Sequence, residues 1–157
     1  MTSLDSIASA QPATAPNTGL CLLIVEDDDA DAYLITHAVA GHPAVARVVR
    51  ARDGVEAMET IETGEIAPDM AFVDLQMPRK NGFNLLTALA QRPGPGFPII
   101  VLTSSSSPLD AQRSRLRLAA GVITKPDTTT LLEEVLTAAI DAACLRKAAA
   151  QPEDAAF

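Results

Sequence analysis

Four acids stand in a row, Glu26-Asp27-Asp28-Asp29, directly after an apolar run at 20–25. A second apolar run, 70–74, ends in Asp74. A third, 98–103, ends in Thr103 and is followed by Ser104, and a fourth, 121–124, is followed by Lys125-Pro126. Carboxylates, a hydroxyl and an ammonium are the parts needed to handle a phosphoryl group. Bare carboxylates at Glu26, Asp27 and Asp74 repel one another, and a hard dication with oxygen ligands removes that conflict. Asp74 can act as a nucleophile on phosphorus, giving an aspartyl phosphate. The cation and Lys125 can offset charge on the phosphoryl oxygens, and the Thr103 hydroxyl can donate to the last of them. Each residue taken singly has a plainer role. An acidic first turn favours a helix dipole, with Asp28 or Asp29 as its cap. A lone Asp, Thr or Lys at a strand end is ordinary turn, strand or solvated chemistry. The weight lies in all of them falling at equivalent ends of alternating units.

Those units predict the fold. Strands are expected at 20–25, 45–50, 70–74, 98–103 and 121–124, the first, third and fourth almost continuously apolar as central parallel strands are. Arg47 and Arg50 mark the second as an edge strand. Helices are expected at 29–40 (Leu34, Ile35, Ala38 and Val39 inward), 54–63 (Val55, Met58, Ile61) and 82–91 (Leu85, Leu86, Leu89). A fourth is expected at 108–119, with Ser107 as N-cap, Pro108, Asp110 and a solvated face of Arg113, Arg115 and Arg117. The last helix carries Leu131, Leu132, Val135, Leu136, Ala139, Ile140 and Ala143. Thr130 and Glu133 offer it a capping box, and Arg146 and Lys147 suit its C-terminal end, near Ala149. Strands alternating with helices give an α/β sandwich on a parallel sheet, which binds ligands beyond the carboxyl ends of its strands.

The chain has 157 residues and is 48% apolar, with no Trp, one Tyr and four Phe, enough for one domain with an aliphatic core. Residues 1–18 are rich in Ala, Ser, Thr and Pro and are expected to be a disordered extension, 19–147 the domain and 148–157 a polar tail. Twenty acids against twelve bases, net charge −8, argue against nucleic acid or an anionic membrane as partner. Cys21 and Cys144 form no metal or redox motif and suit reduced, packed thiols, and no run is long enough to span a membrane. A cytoplasmic location is expected.

Five segments carry a family resemblance: Leu-Leu-Ile-Val-Glu-Asp-Asp (22–28), Arg-Asp-Gly-Val-Glu-Ala (52–57), Pro-Asp-Met-Ala-Phe-Val-Asp-Leu-Gln-Met-Pro-Arg-Lys-Asn-Gly (68–82), Pro-Ile-Ile-Val-Leu-Thr-Ser (98–104) and Thr-Lys-Pro (124–126). In this order the chain resembles a CheY-type receiver domain of two-component signalling, over about 20–145. The resemblance implies a flavodoxin-like (βα)5 three-layer sandwich with strand order 2-1-3-4-5. It makes Asp74 the phosphoacceptor for a sensor histidine kinase. Mg²⁺ (or Mn²⁺) would be held by Asp27, Asp74 and the Gln76 backbone carbonyl, with Glu26 acting through water. It implies phosphoryl binding by Thr103, Ser104 and Lys125, and a cis bond between Lys125 and Pro126. The acidic start and Pro-Arg-Lys-Asn-Gly are most similar to small regulators paired with phytochrome-type kinases.

Two positions depart from the family. Val122 stands where an aromatic switch residue is usual, and Asp127, read as a helix cap, stands where an apolar residue is common. Gln76 and Ser105 occupy positions that tune dephosphorylation in the family, and neither is acidic. About ten residues follow the last helix, so the expected output is by protein contact from a stand-alone regulator. A homodimer is expected through the face of helix 108–119 and the terminal helix, extended by Ala142, Cys144 and Leu145. Beyond self-catalysed phosphoryl acceptance and loss, no enzyme activity is expected. A phosphatase of related fold usually needs a second acid two residues after the nucleophile, and that residue is Gln76. The alternative is a pseudo-receiver that binds partners without phosphorylation, for which Val122 leaves room.

Overall fold

A computed structural model describes residues 19–75, 82–92, 96–103 and 119–149. The expected helix at 108–119 with its cap and arginines, the two chain ends (1–18 and 150–157), Gln76, Ser104 and Ser105 lie outside them. In chain order the elements are β1 (Leu20–Val25), α1 (Asp29–Ala40), β2 (Val45–Ala51), α2 (Gly54–Glu62), β3 (Met70–Asp74), α3 (Gly82–Ala90), β4 (Ile99–Thr103), β5 (Gly121–Thr124) and α4 (Thr129–Ala149). The strands form one parallel sheet in the order β2-β1-β3-β4-β5, which is the flavodoxin-like arrangement.

Side-chain alternation splits the core in two. Leu22, Ile24, Met70, Phe72, Ile100 and Leu102 face Ile35 and Val39 of α1 and Leu132, Leu136, Ile140 and Ala143 of α4. Leu23, Val25, Ala71, Val73, Ile99 and Val101 face Ala57 and Ile61 of α2 and Leu85 and Leu86 of α3. Central strands buried on both faces explain the unbroken apolar runs. Cys21 packs on the second layer and Cys144 on the first, so the sheet separates the two free thiols.

Three details differ from expectation. Leu34 and Leu131 are exposed, at 37% and 48%. Each sits about 100° around its helix from a buried neighbour, Ile35 or Leu132, and the narrow inward stripe takes only one of the two. In α2, Ala57 is buried and Val55 only partly so, because Ala57 and Ile61, one turn apart, form the stripe that meets the sheet. The cap of α4 is Thr128, not Asp127 or the Thr130–Glu133 pair. Its Oγ1 accepts from the Leu131 N–H (3.2 Å) and its carbonyl from the Leu132 N–H (3.1 Å), so the helix begins a residue before the expected box.

The cap of α2 bears on the site, because the turn before it ends β2. Asp53, buried, accepts from the Glu56 N–H (2.8 Å), and Glu56 accepts from the Arg52 N–H (2.6 Å). Asp53→Ala should cost about 1–2 kcal/mol, the usual worth of such a cap. It would be read as a lower urea midpoint at unchanged slope.

At the opposite end of the sheet, Asp69 accepts from the Cys21 N–H (2.8 Å) and from Lys147 Nζ (3.2 Å), tying the end of α4 to the foot of β1. His42 Nδ1 accepts from the Ala44 N–H (3.0 Å), which leaves Nε2 to donate to Asp141 (2.8 Å). That second tie joins α4 to the turn after α1.

Candidate functional site

Strand parity assembles the site. Glu26 continues the row Leu22–Ile24, Asp74 the row Met70–Phe72, and Lys125 follows Ile123 by two, so all three belong to the α1–α4 side of the sheet. Thr103 continues the row Ile99–Val101 on the other side. Register makes the ends level: Asp74 pairs with Leu102 and Thr103 with Thr124, and the Lys125 N–H donates to the Thr103 carbonyl (2.8 Å).

Carboxylate oxygens of Glu26, Asp27 and Asp74 lie within 4.8 Å of one another. Glu26, Asp74 and Thr103 are buried, and Asp27 is exposed. Lys125 Nζ donates to Glu26 Oε1 (2.9 Å) and to Asp31 Oδ2 (3.1 Å). Burial pushes the Glu26 carboxyl up to about 7, the Lys125 bond opposes this, and the Asp74 charge adds to it. Burial alone would lower Lys125, but the bond to Glu26 and the charge of Asp74 outweigh it and hold the ammonium above its ordinary value. The expected acids and lysine are therefore together, with Thr103 at the neighbouring strand end.

The bond between Lys125 and Pro126 is trans, against the cis expectation, and no cis bond occurs among the described residues. The trans form is the one favoured by about 0.5–1 kcal/mol for X-Pro. In it Lys125 already reaches Glu26 while its N–H bonds Thr103, so this turn gives cis no compensating gain. Val122 is half-buried against the α2–α3 layer, the side of the sheet to which Thr103 belongs.

Two supporting residues escaped sequence reading. Arg50, at the end of β2, donates from Nε and Nη2 to the Glu26 carbonyl (3.0 and 2.8 Å) and from Nη1 to Asp29 (2.9 Å). Arg52 adds a contact to Asp29 (3.2 Å). The Arg50 bond, with both arginine charges, holds Asp29 below the usual carboxylate range. The signal was available: β2 beside β1 puts Arg50 next to the acid run, yet its charge reads first as an edge-strand mark. Arg50→Ala strips both donors from the Glu26 carbonyl and is expected to lower the urea midpoint at unchanged slope. The other residue is Asp31. Asp28 is the cap of α1, its Oδ2 accepting from the Asp31 N–H (2.8 Å), which places Asp31 in the first turn beside Lys125.

A parallel 2-1-3-4-5 sheet with an acid cluster and a lysine at its carboxyl edge defines a receiver-type α/β domain. The profile described as "Response regulator receiver domain" matches residues 22–137, and the chain belongs to that family of two-component signalling proteins. It is 34% identical over 114 residues to the Regulator of RpoS of Escherichia coli K12, covering 72% of this chain and 32% of that protein. The match thus spans about a third of that relative's length. The structure of the phosphorylated cyanobacterial phytochrome response regulator RcpA superposes with a TM-score of 0.71 at 28% identity, covering 76% of this chain and 90% of that one. The Mn²⁺-bound form of response regulator Rcp1 gives 0.69 at 26% identity, with the same coverage of 76% and 90%.

Among the described residues no helix is long and apolar enough to cross a membrane.

Proposed function

We propose that Asp74 accepts a phosphoryl group from a phosphohistidine of a sensor kinase and that the phosphorylated chain signals by protein contact. The observation that carries this is the meeting of Glu26, Asp27 and Asp74 within 4.8 Å, with the Lys125 ammonium bonded to the same Glu26. An Asp74 oxygen attacks phosphorus as the donor's P–N bond breaks. The electron pair stays on the imidazole, which takes up a proton, and later attack by water returns Asp74 and inorganic phosphate. Lys125 offsets charge on the phosphoryl oxygens, and the Thr103 hydroxyl donates to one of them.

The donor set of clustered carboxylates, one of them solvent-facing, fits Mg²⁺ or Mn²⁺. When bound, the cation supplies positive charge against the transferring group. The residues that would hold it are Glu26, Asp27 and Asp74, joined on the family pattern by the Gln76 carbonyl. On the same pattern Ser104 joins Thr103 in binding the phosphoryl group. The Mn²⁺-bound Rcp1 relative and the phosphorylated RcpA relative support this reading. We read 19–147 as the receiver domain, flanked by an extension at 1–18 and a tail at 148–157, in the cytoplasm. We assign homodimerisation to the terminal helix with the 108–119 segment, where Leu145 is 73% exposed.

The test is phosphoryl incorporation from a small-molecule phosphodonor, followed by intact mass with and without Mg²⁺. Cation-dependent gain of one phosphoryl group is expected. A folded, cation-loaded sample that takes up none leaves the pseudo-receiver reading. Val122 in place of the switch aromatic leaves room for that reading, and its test is partner binding indifferent to phosphodonor.

A further inference from the structure

Lys125 has two carboxylate partners of very different character. Glu26 is buried, with 2% of its side chain exposed, whereas the Asp31 side chain is 44% exposed. Leaving Glu26 would strip a buried carboxyl of its partner in a dry site, at high cost. Leaving Asp31 costs little, because water replaces the ammonium. The two bonds also differ in what they join. The bond to Asp31 ties the segment between β5 and α4 to the first turn of α1, whose amide Asp28 already caps. Farther along α1 the helix carries exposed Tyr33, with its ring stacked on His37 at 5.8 Å between centroids.

Building on the phosphoacceptor reading, we propose that Asp31 is a positioning residue that parks Lys125 at rest and surrenders it when a phosphoryl group forms on Asp74. A phosphoryl group adds negative charge and acceptor oxygens beside Asp74, on the side of the sheet to which Lys125 belongs. The ammonium keeps Glu26 within reach and exchanges its weaker, wetter partner for the phosphoryl oxygens. Release of Asp31 unties the start of α1 from the β5–α4 segment, so the state of Asp74 is transmitted to α1 through one exchangeable ion pair. Asp31 thus works against phosphoryl capture by stabilising the resting state, and its loss should strengthen capture.

The probe is beryllofluoride, a phosphoryl mimic, titrated in the presence of saturating Mg²⁺. Asp31→Asn should bind it about two- to fivefold more tightly, the worth of a partly exposed ion pair, while affinity for Mg²⁺ alone is unchanged. Asp31→Glu should restore the wild-type value. In a Lys125→Met background the Asp31→Asn effect should vanish, which a purely structural role at the start of α1 would not produce. Hydrogen exchange at the first turn of α1 should rise on adding the mimic to wild type and start high in Asp31→Asn. Wild type and Asp31→Asn binding the mimic equally, or a gain that survives in Lys125→Met, overturns the parking role and leaves the acceptor reading intact. Wild type that binds Mg²⁺ but not the mimic removes the acceptor reading, and this inference with it.

Discussion

Asp74→Asn is expected to take up no phosphoryl group from any donor while remaining folded. The amide has the volume of the carboxylate but carries no charge and offers no nucleophilic oxygen. Two further consequences separate this loss from simple unfolding. The Asp74 charge is one of the influences that raise Glu26, so removing it lets Glu26 ionise more readily beside Lys125. Three clustered carboxylates become two, and the cation-free variant should unfold at a higher urea concentration than wild type, because the like-charge conflict is smaller. Cation affinity moves the opposite way, since a ligand has been lost. The expected pattern is thus zero incorporation, weaker Mg²⁺ and greater stability without it. Incorporation that persists in Asp74→Asn places the acceptor elsewhere, and reduced stability shows that Asp74 serves the fold more than the site.

Most of the architecture was legible because central parallel strands write themselves as apolar runs. The central strands β1 and β3 begin and end where their runs do, as does the edge strand β5, and the charges that follow β1 and β5 mark the carboxyl edge. Helix faces were less legible at their margins. A run such as Leu131-Leu132 states that a helix is apolar there, but which leucine faces inward depends on the angle at which α4 lies on the sheet. The Thr128 cap was hidden for a similar reason, since Thr128, Thr129 and Thr130 are equivalent until the helix start is fixed. At the site, Glu26, Asp27, Asp74 and Lys125 could be placed together because each lies at a strand end or within two residues of one. Asp31 and Arg50 could not, because their roles depend on how α1 and β2 lean over that edge. The acid run reads as one cluster, yet the structure gives its members separate work: Glu26 to Lys125, Asp28 to the α1 cap, and Asp29 to Arg50 and Arg52, while Asp31 beyond the run shares Lys125 with Glu26.

Affinity for Mg²⁺ should rise about a hundredfold between pH 5 and pH 8 and level off above 7, because the cation requires an ionised Glu26. Glu26 is buried, and that burial is the largest cause of its rise from 4.5 to about 7. The hydrogen bond from Lys125 holds the rise in check, and Asp74 adds to it. The sign follows from which state holds the proton. Between 4.5 and 7 the native chain without cation keeps a proton on Glu26 that the unfolded chain has lost. This group therefore adds stability below pH 4.5, and the contribution is lost as pH rises through 7. Cation binding runs against that slope: it expels the proton, so one proton should be released per ion near pH 6 and almost none at pH 8. Calorimetric titration in two buffers of different ionisation enthalpy measures the number directly. Glu26→Gln, which keeps the shape and removes the titration, should flatten both the proton release and the pH dependence of affinity. Wild-type affinity that is already flat from pH 5 to 8 would mean that Glu26 stays charged in its bond to Lys125 across the range. The opposed slopes also predict that melting curves with and without Mg²⁺ draw apart as the pH is raised from 5 to 7, since the same deprotonation weakens the empty site and fills it.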